Sequence, residues 1–344
     1  MSPDFQARAT WEGRNLTELT TLWTAYVAST GAIGSACPKI GVGFFHYPSL
    51  GQIRGARATS AIHKGERICK VPVGELLSDY TVGNSSLLPV VQWAAAHAAE
   101  KVAAPPPSAK LPRAGSLRRR TIDDRSRIVL YALRELSRER SPKMPYLQLI
   151  QSHDVTGVPS LWPEASPRFR LLSPLAREMA GRSRTYARMQ YDTLVTPSLA
   201  RFPMPLSEGL GCAGSACSPE RLGAVYSWER FQRLFAIVSA RDWVLPVDGE
   251  SRAFLAPQVD LLNFGQVGIR AEYSDKAKGF VAVATQPIAE GTELLFYYGS
   301  MCKDAWVNLY GFAPAEAKPC RSKYSTAQRA ANARTKPAHP PASG

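Results

Sequence analysis

The chain has 344 residues, 45% of them hydrophobic and 20% charged, a globular balance that excludes disorder throughout and leaves room for a sizeable core. Its formal net charge of +14 sits mostly in two places: residues 101–143 hold 12 basic and 4 acidic side chains, and residues 313–344 hold 6 basic and 1 acidic. The rest of the chain is near neutral, so contact with an acidic protein or nucleic acid is expected only through 101–143 and the tail.

With a core of this size no staples are needed, and the six cysteines (Cys37, Cys69, Cys212, Cys217, Cys302 and Cys320) read as free thiols in a reducing compartment, cytoplasmic or nuclear. No apolar run approaches about 18 residues, and the opening MSPDFQARATWEGRN lacks an apolar signal core. Neither a membrane span nor secretion is expected.

In chain order, Leu16, Leu19, Trp23 and Tyr26 recur at helical spacing, predicting a helix over 15–29 that stops near Gly31. Residues 57–72 read as a strand, a Lys64-Gly65 turn and a second strand. The stretch AAPPPSAKLPRAGSLRRR, residues 103–120, and the tail after about residue 318 offer too little apolar surface to fold. Asp123 and Asp124 can cap a helix to about residue 140, and a helical middle follows, including 177–194. Ser227 caps a helix over 228–240, where Trp228, Phe231, Phe235 and Val238 form one apolar stripe. Strands are predicted over 253–262, 269–273, 280–284 and 293–298. AIHKGERICKVP and PIAEGTELLFYY echo each other, each placing a turn glycine before a strand.

No phosphate-binding loop, nucleophile elbow, HExxH or paired CxxC is present, and Cys212 and Cys217 lack a second Cys/His pair, so no metal is expected. What remains is an ordered series: RGARATSAIHKGERICKVP, YSWERFQRLFAIVSARDW, VDLLNFG, ELLFYYG and NLYGF. This series resembles the SET-domain methyltransferases, in particular the Rubisco large-subunit methyltransferase-like branch, whose SET domain is split by a helical insertion. LWTAYVASTGA looks like that branch's opening helix, and PYLQLIQSHDVTGVPSLW like the inserted segment after its YALREL helix.

The resemblance implies an α+β fold, a SET-domain β core of short sheets interrupted by a mainly helical insertion, without a large C-terminal helical lobe. The implied division is a helical segment at 1–34, SET halves at 35–78 and 227–315, the insertion at 79–226 and a basic tail at 316–344. It implies S-adenosylmethionine as cofactor and methylation of a side-chain nitrogen on a protein substrate, lysine first, with histidine as an alternative. Tyr298 matches the catalytic tyrosine. Gln52, Arg54, Gly55, Arg241, Asn263, Phe264 and Tyr310 match cofactor-binding positions, and Asp260 and Phe312 the substrate channel.

Each residue also has an ordinary reading. A tyrosine such as Tyr298 fits a core with its hydroxyl satisfied, Asn263 suits a strand-ending turn, and Arg241 suits a helix C-terminus. Tyr310 and Phe312 fit a core as readily as a cation-lined channel. Two positions depart from the pattern. Ile53 replaces a glycine, where a branched residue resists positive φ, and Phe264 replaces the histidine of an Asn-His pair. They motivate a second reading, a SET scaffold that binds a partner without catalysis. The tail's Ala333-Arg334-Thr335-Lys336 also reproduces the start of a histone H3 tail, which makes Lys336 a candidate for self-modification.

Overall fold

The computed structural model describes residues 37–47, 51–102, 122–151, 155–212, 216–247 and 250–320, and four positions between 18 and 25. Of the helix predicted over 15–29, Glu18, Thr21, Thr24 and Ala25 are helical, and the rest lies outside the described residues. So do the predicted loop over 103–120 and the tail from 321 on, with its ARTK motif.

The first sheet is a hairpin of β1, Ile40–Tyr47, and β2, Gly51–Ala58, paired antiparallel from Ile40↔Ala58 to Tyr47↔Gly51. β1 was not anticipated, and β2 begins six residues before the strand expected at 57. A second sheet takes β3, Arg67–Pro72, β7, Asn263–Ser274, β8, Gly279–Ala284, and β9, Leu295–Phe296, in the order β3-β8-β7-β9. Its inner side buries Ile68, Val71, Phe280 and Ala282. Gly279 opposes Pro72 so closely that any Cβ would collide with the Val71 carbonyl. A small third sheet joins β4, Leu77–Ser78, β5, Trp243–Val247, and β6, Glu250–Leu255.

The two echoing sequence blocks meet in space. Ile62 and Ile288 exchange backbone hydrogen bonds of 2.9 Å in both directions, and their turn glycines, Gly65 and Gly291, take φ of 80° and 77°. Both turns therefore need the left-handed conformation that glycine adopts without penalty.

Among the described residues, the elements between β4 and β5 are helices. The longer ones are α1, Leu88–Val102, α2, Asp124–Glu135, α3, Met144–Gln151, α4, Pro174–Arg201, and α5, Trp228–Ser239. Asp123 Oδ1 accepts from Ser126 N at 2.7 Å and Ser227 Oγ from Arg230 N at 3.4 Å, so both expected caps form. α2 is shorter than predicted, ending at Glu135 rather than near 140, and α4 is longer than the 177–194 reading. α5 buries Phe231, Leu234, Phe235 and Val238 on its apolar stripe. A final helix, α6, spans Lys303–Tyr310.

Two readings are corrected. The strand expected over 253–262 stops at Leu255, because Gln258 takes φ 74° and Val259–Leu261 winds into a 3-10 turn. The cysteines are not free thiols: Cys37 pairs with Cys69, Cys212 with Cys217 and Cys302 with Cys320. The fold brings each pair together across 32, 5 and 18 residues of sequence, which composition alone does not reveal.

The chain forms two compact units, one of residues 1–155 and 184–299, the other of 156–183 and 300–344. No helix among the described residues is long and apolar enough to cross a membrane.

Candidate active site

In the first unit, β2 delivers Arg54 and Gly55, the turn before β7 delivers Asp260, and β7 opens on Asn263 and Phe264. β9 runs parallel to the start of β7, with Asn263↔Leu295 and Phe264↔Phe296 in register, so Tyr298 follows two residues beyond. Residues distant in sequence thereby converge by sheet pairing.

Asn263 is the hub. Its Nδ2 donates to the Arg54 carbonyl at 3.0 Å and to Glu293 Oε1 at 2.8 Å. Glu293 Oε2 accepts from the Tyr47 hydroxyl at 2.8 Å. Gly55 faces this cluster: a Cβ there would lie 2.5 Å from Asn263 Nδ2 and 2.8 Å from Glu293 Oε1. Glycine is needed here for close approach, not for an unusual φ. Burial raises the Glu293 carboxyl, partly opposed by the bonds from Asn263 and Tyr47.

A second cluster lies beneath. Asp260 is 5% exposed and its Oδ2 accepts from the Tyr146 hydroxyl at 2.6 Å. Arg241, just past α5, donates from Nη1 to the Asp260 carbonyl at 2.6 Å. Arg54 is 3% exposed and donates from Nη1 to the Leu149 carbonyl of α3 at 2.8 Å. Burial, then repulsion from Arg241, bring its guanidinium down to about 9. Burial drives Asp260 the other way, upward, against the pull of Arg241. Two guanidiniums, Arg54 buried and Arg241 half-buried, thus lie near the Asp260 carboxylate, chemistry that suits a carboxylate ligand.

Tyr298 donates its hydroxyl to the Leu262 carbonyl at 2.5 Å, and burial pushes its phenol up to about 12. It stays protonated near neutral pH. Phe264 packs its ring edge-on to Tyr298 at 5.8 Å and lies 6.1 Å from Tyr297. The departures are benign to the backbone: Ile53 pairs with Phe45 inside β2, and among described residues only Gln258 and Lys278 are non-glycines at positive φ. Gln52 stands at the exposed end of the hairpin opposite His46.

The second unit holds Tyr310 and Phe312. Trp306 is buried, with Tyr310 at 5.0 Å and Phe312 at 6.1 Å between ring centres. Gly311 closes α6 in the left-handed conformation, and a Cβ on it would sit 2.5 Å from the Gly157 carbonyl carbon. The VTGVPSLW and NLYGF motifs therefore meet glycine against glycine.

Sequence reasoning missed Tyr47, Tyr146 and Glu293. Tyr47 ends a strand that was not anticipated, and Tyr146 sits in a segment read only as part of the insertion. Glu293 lay within the ELLFYYG motif, where an acid starting a mainly apolar strand was the available signal.

No family-level sequence model matches the chain. The mouse N-lysine methyltransferase SETD6 is 28% identical over 267 residues, 75% of this chain and 48% of that protein. The human SETD6 is 26% identical over 265 residues, 75% of this chain and 47% of that protein. The chain thus spans about half the length of these relatives. Among solved structures, the SET domain of LSMT bound to lysine and AdoHcy superposes with a TM-score of 0.58 at 15% identity, covering 88% of this chain and 59% of that one. Rubisco LSMT bound to AdoMet gives 0.51 at 13% identity, covering 86% and 57%. The chain has the SET fold, α+β with a helical interruption between its β elements, and resembles the split-SET branch that includes the Rubisco large-subunit methyltransferase.

Proposed function

We propose that this protein transfers a methyl group from S-adenosylmethionine to a side-chain nitrogen of another protein, lysine first. The observation that carries the reading is the convergence of Gly55, Asn263 and Tyr298 beside two guanidiniums, Arg54 buried and Arg241 half-buried. The chain's likeness to an N-lysine methyltransferase and to structures with AdoMet or AdoHcy bound supports it.

The residues present fit such a donor. Arg241 and Arg54 suit its carboxylate and Asn263 its amino group, while the missing Cβ of Gly55 lets the Asn263 amide and Glu293 sit close against β2. When bound, the donor supplies an electrophilic methyl on a sulfonium. The chain's work is alignment and exclusion of water, since in-line displacement depends on geometry. A lysine nucleophile must be neutral, which from an ordinary pKa near 10.4 costs roughly 4 to 5 kcal/mol at pH 7, and a low-dielectric site lowers that cost. Tyr298, protonated and with its own hydrogen given to Leu262, offers oxygen lone pairs that orient an amine N–H rather than a base that removes a proton. Within the first unit, Asp260 is assigned to the channel, with Gln52 and Phe264 lining the donor.

In this reading the SET halves are 35–78 and 227–315, flanking the insertion 79–226, and the basic segments 101–143 and 316–344 contact acidic partners. Calorimetry with S-adenosylmethionine and transfer of labelled methyl to cell extract test it. Binding is expected, and Tyr298→Phe lowers turnover at least about a hundredfold with affinity for the donor nearly unchanged. Absence of binding by folded protein supports the non-catalytic scaffold instead. Analysis of the labelled residue separates lysine from histidine.

A further inference from the structure

We propose that Glu293, backed by Tyr47, is a positioning residue that locks the Asn263 amide and selects a ligand ending in a protonated α-amino group. The inference rests on the methyl-donor reading above and assigns a role to two residues to which the resemblance gives none.

The amide nitrogen of Asn263 has two hydrogens, and both are directed at acceptors: the Arg54 carbonyl at 3.0 Å and Glu293 Oε1 at 2.8 Å. A flipped amide would set its oxygen against those same two acceptors and leave them without their donor. Oδ1 therefore remains as the amide's available hydrogen-bonding atom, and it can only accept. A ligand meeting it must donate. The Tyr47 hydroxyl, at 2.8 Å from Glu293 Oε2, holds the carboxylate's other oxygen and so fixes its plane. The half-buried Glu293 carboxylate also adds a negative charge on this side, seated against Gly55, whose missing Cβ lets it approach. The opposite charge gathers at Arg54 and Arg241, where Arg241 reaches the Asp260 carbonyl. One side suits an ammonium and the other a carboxylate, which are the two ends of an amino-acid zwitterion held apart.

The test compares S-adenosylhomocysteine with its desamino analogue, which keeps the carboxylate, by calorimetry on the full chain. Wild type is expected to prefer the amino form by about tenfold or more, the range of a charge-assisted hydrogen bond. Glu293→Gln keeps an acceptor for Asn263 but removes the charge, and Glu293→Ala removes both. The preference falls about tenfold in Glu293→Ala and by a smaller factor in Glu293→Gln, with affinity for the desamino form unchanged in each. Tyr47→Phe moves it in the same direction. A merely structural role would weaken both ligands alike. Burial holds the Glu293 carboxyl above its ordinary range, so the preference weakens on acidification in wild type and not in Glu293→Gln. If Glu293→Ala does not fold, Glu293→Gln decides. Wild-type preference kept in the variants overturns this inference alone. No binding of either ligand by folded wild type overturns it together with the methyl-donor reading.

Discussion

At Gly55 the absence of a side chain is the functional feature. Its neighbours are not backbone but the ends of Asn263 and Glu293, at 2.5 and 2.8 Å from a built Cβ. Those ends could swing aside, but only by giving up the bonds to the Arg54 carbonyl and to each other. Gly55→Ala is therefore expected to fold, losing about 1 to 3 kcal/mol, and to weaken S-adenosylhomocysteine binding at least about tenfold in calorimetry. Wild-type affinity in a folded Gly55→Ala protein would show that the cluster repacks freely. Ile53 makes the contrast: a branched residue two positions earlier costs nothing, because its backbone is ordinary extended strand.

At the scale of elements, what was legible in the sequence was local. α5 could be read because its Ser227 cap and apolar stripe lie within one stretch of chain. The convergence of Asn263 and Tyr298 was reachable only through resemblance, since parallel pairing of β7 and β9 joins residues about thirty positions apart. β1 and β5 escaped because their partners, not their own patterns, make them strands. The break at Gln258 escaped because a non-glycine at φ 74° has no composition signal, yet it sets Asp260 against Tyr146 and Arg241. One helix contact gives a pH prediction. α2 is tied to the turn between α5 and β5 where Arg125 Nε donates to Asp242 Oδ2 at 2.8 Å, and burial, opposed by Arg125, holds the Asp242 carboxyl up to about 6. That is above the unfolded value near 3.9, so the folded state binds the proton more tightly. The stability from this group is full below about pH 4 and is lost as pH rises through about 6, on the order of 3 kcal/mol. In urea titrations, Asp242→Asn is expected to lack this fall, so the stability difference between wild type and variant changes between pH 4 and 7. Parallel profiles would remove Asp242 as the source.

For the whole molecule, the cysteines decide where the fold's stability is held. Cys37–Cys69 and Cys212–Cys217 lie in the first unit, and Cys302–Cys320 in the second. Sequence separations of 32, 5 and 18 residues correspond, by loop-closure entropy, to roughly 4, 2 and 3 kcal/mol. The last matters most to its unit. It bridges the start of α6 to Cys320 beside the Lys303 N to Lys318 carbonyl bond of 2.7 Å, enclosing Trp306, Tyr310 and Phe312. A core of that size gains little from burial alone, so the covalent closure carries a large share of its stability. The pairing also withdraws the ground on which a reducing compartment was expected, since disulfides persist in oxidising ones. Maleimide labelling of the denatured, unreduced protein is expected to find no thiols, and labelling after reduction to find six. Replacing Cys302 and Cys320 by serine should then expose the segment around α6 to limited proteolysis while the first unit stays protected. Six labelled thiols before reduction would return the cysteines to the free state that composition suggests, and the stability of α6 to its aromatic packing.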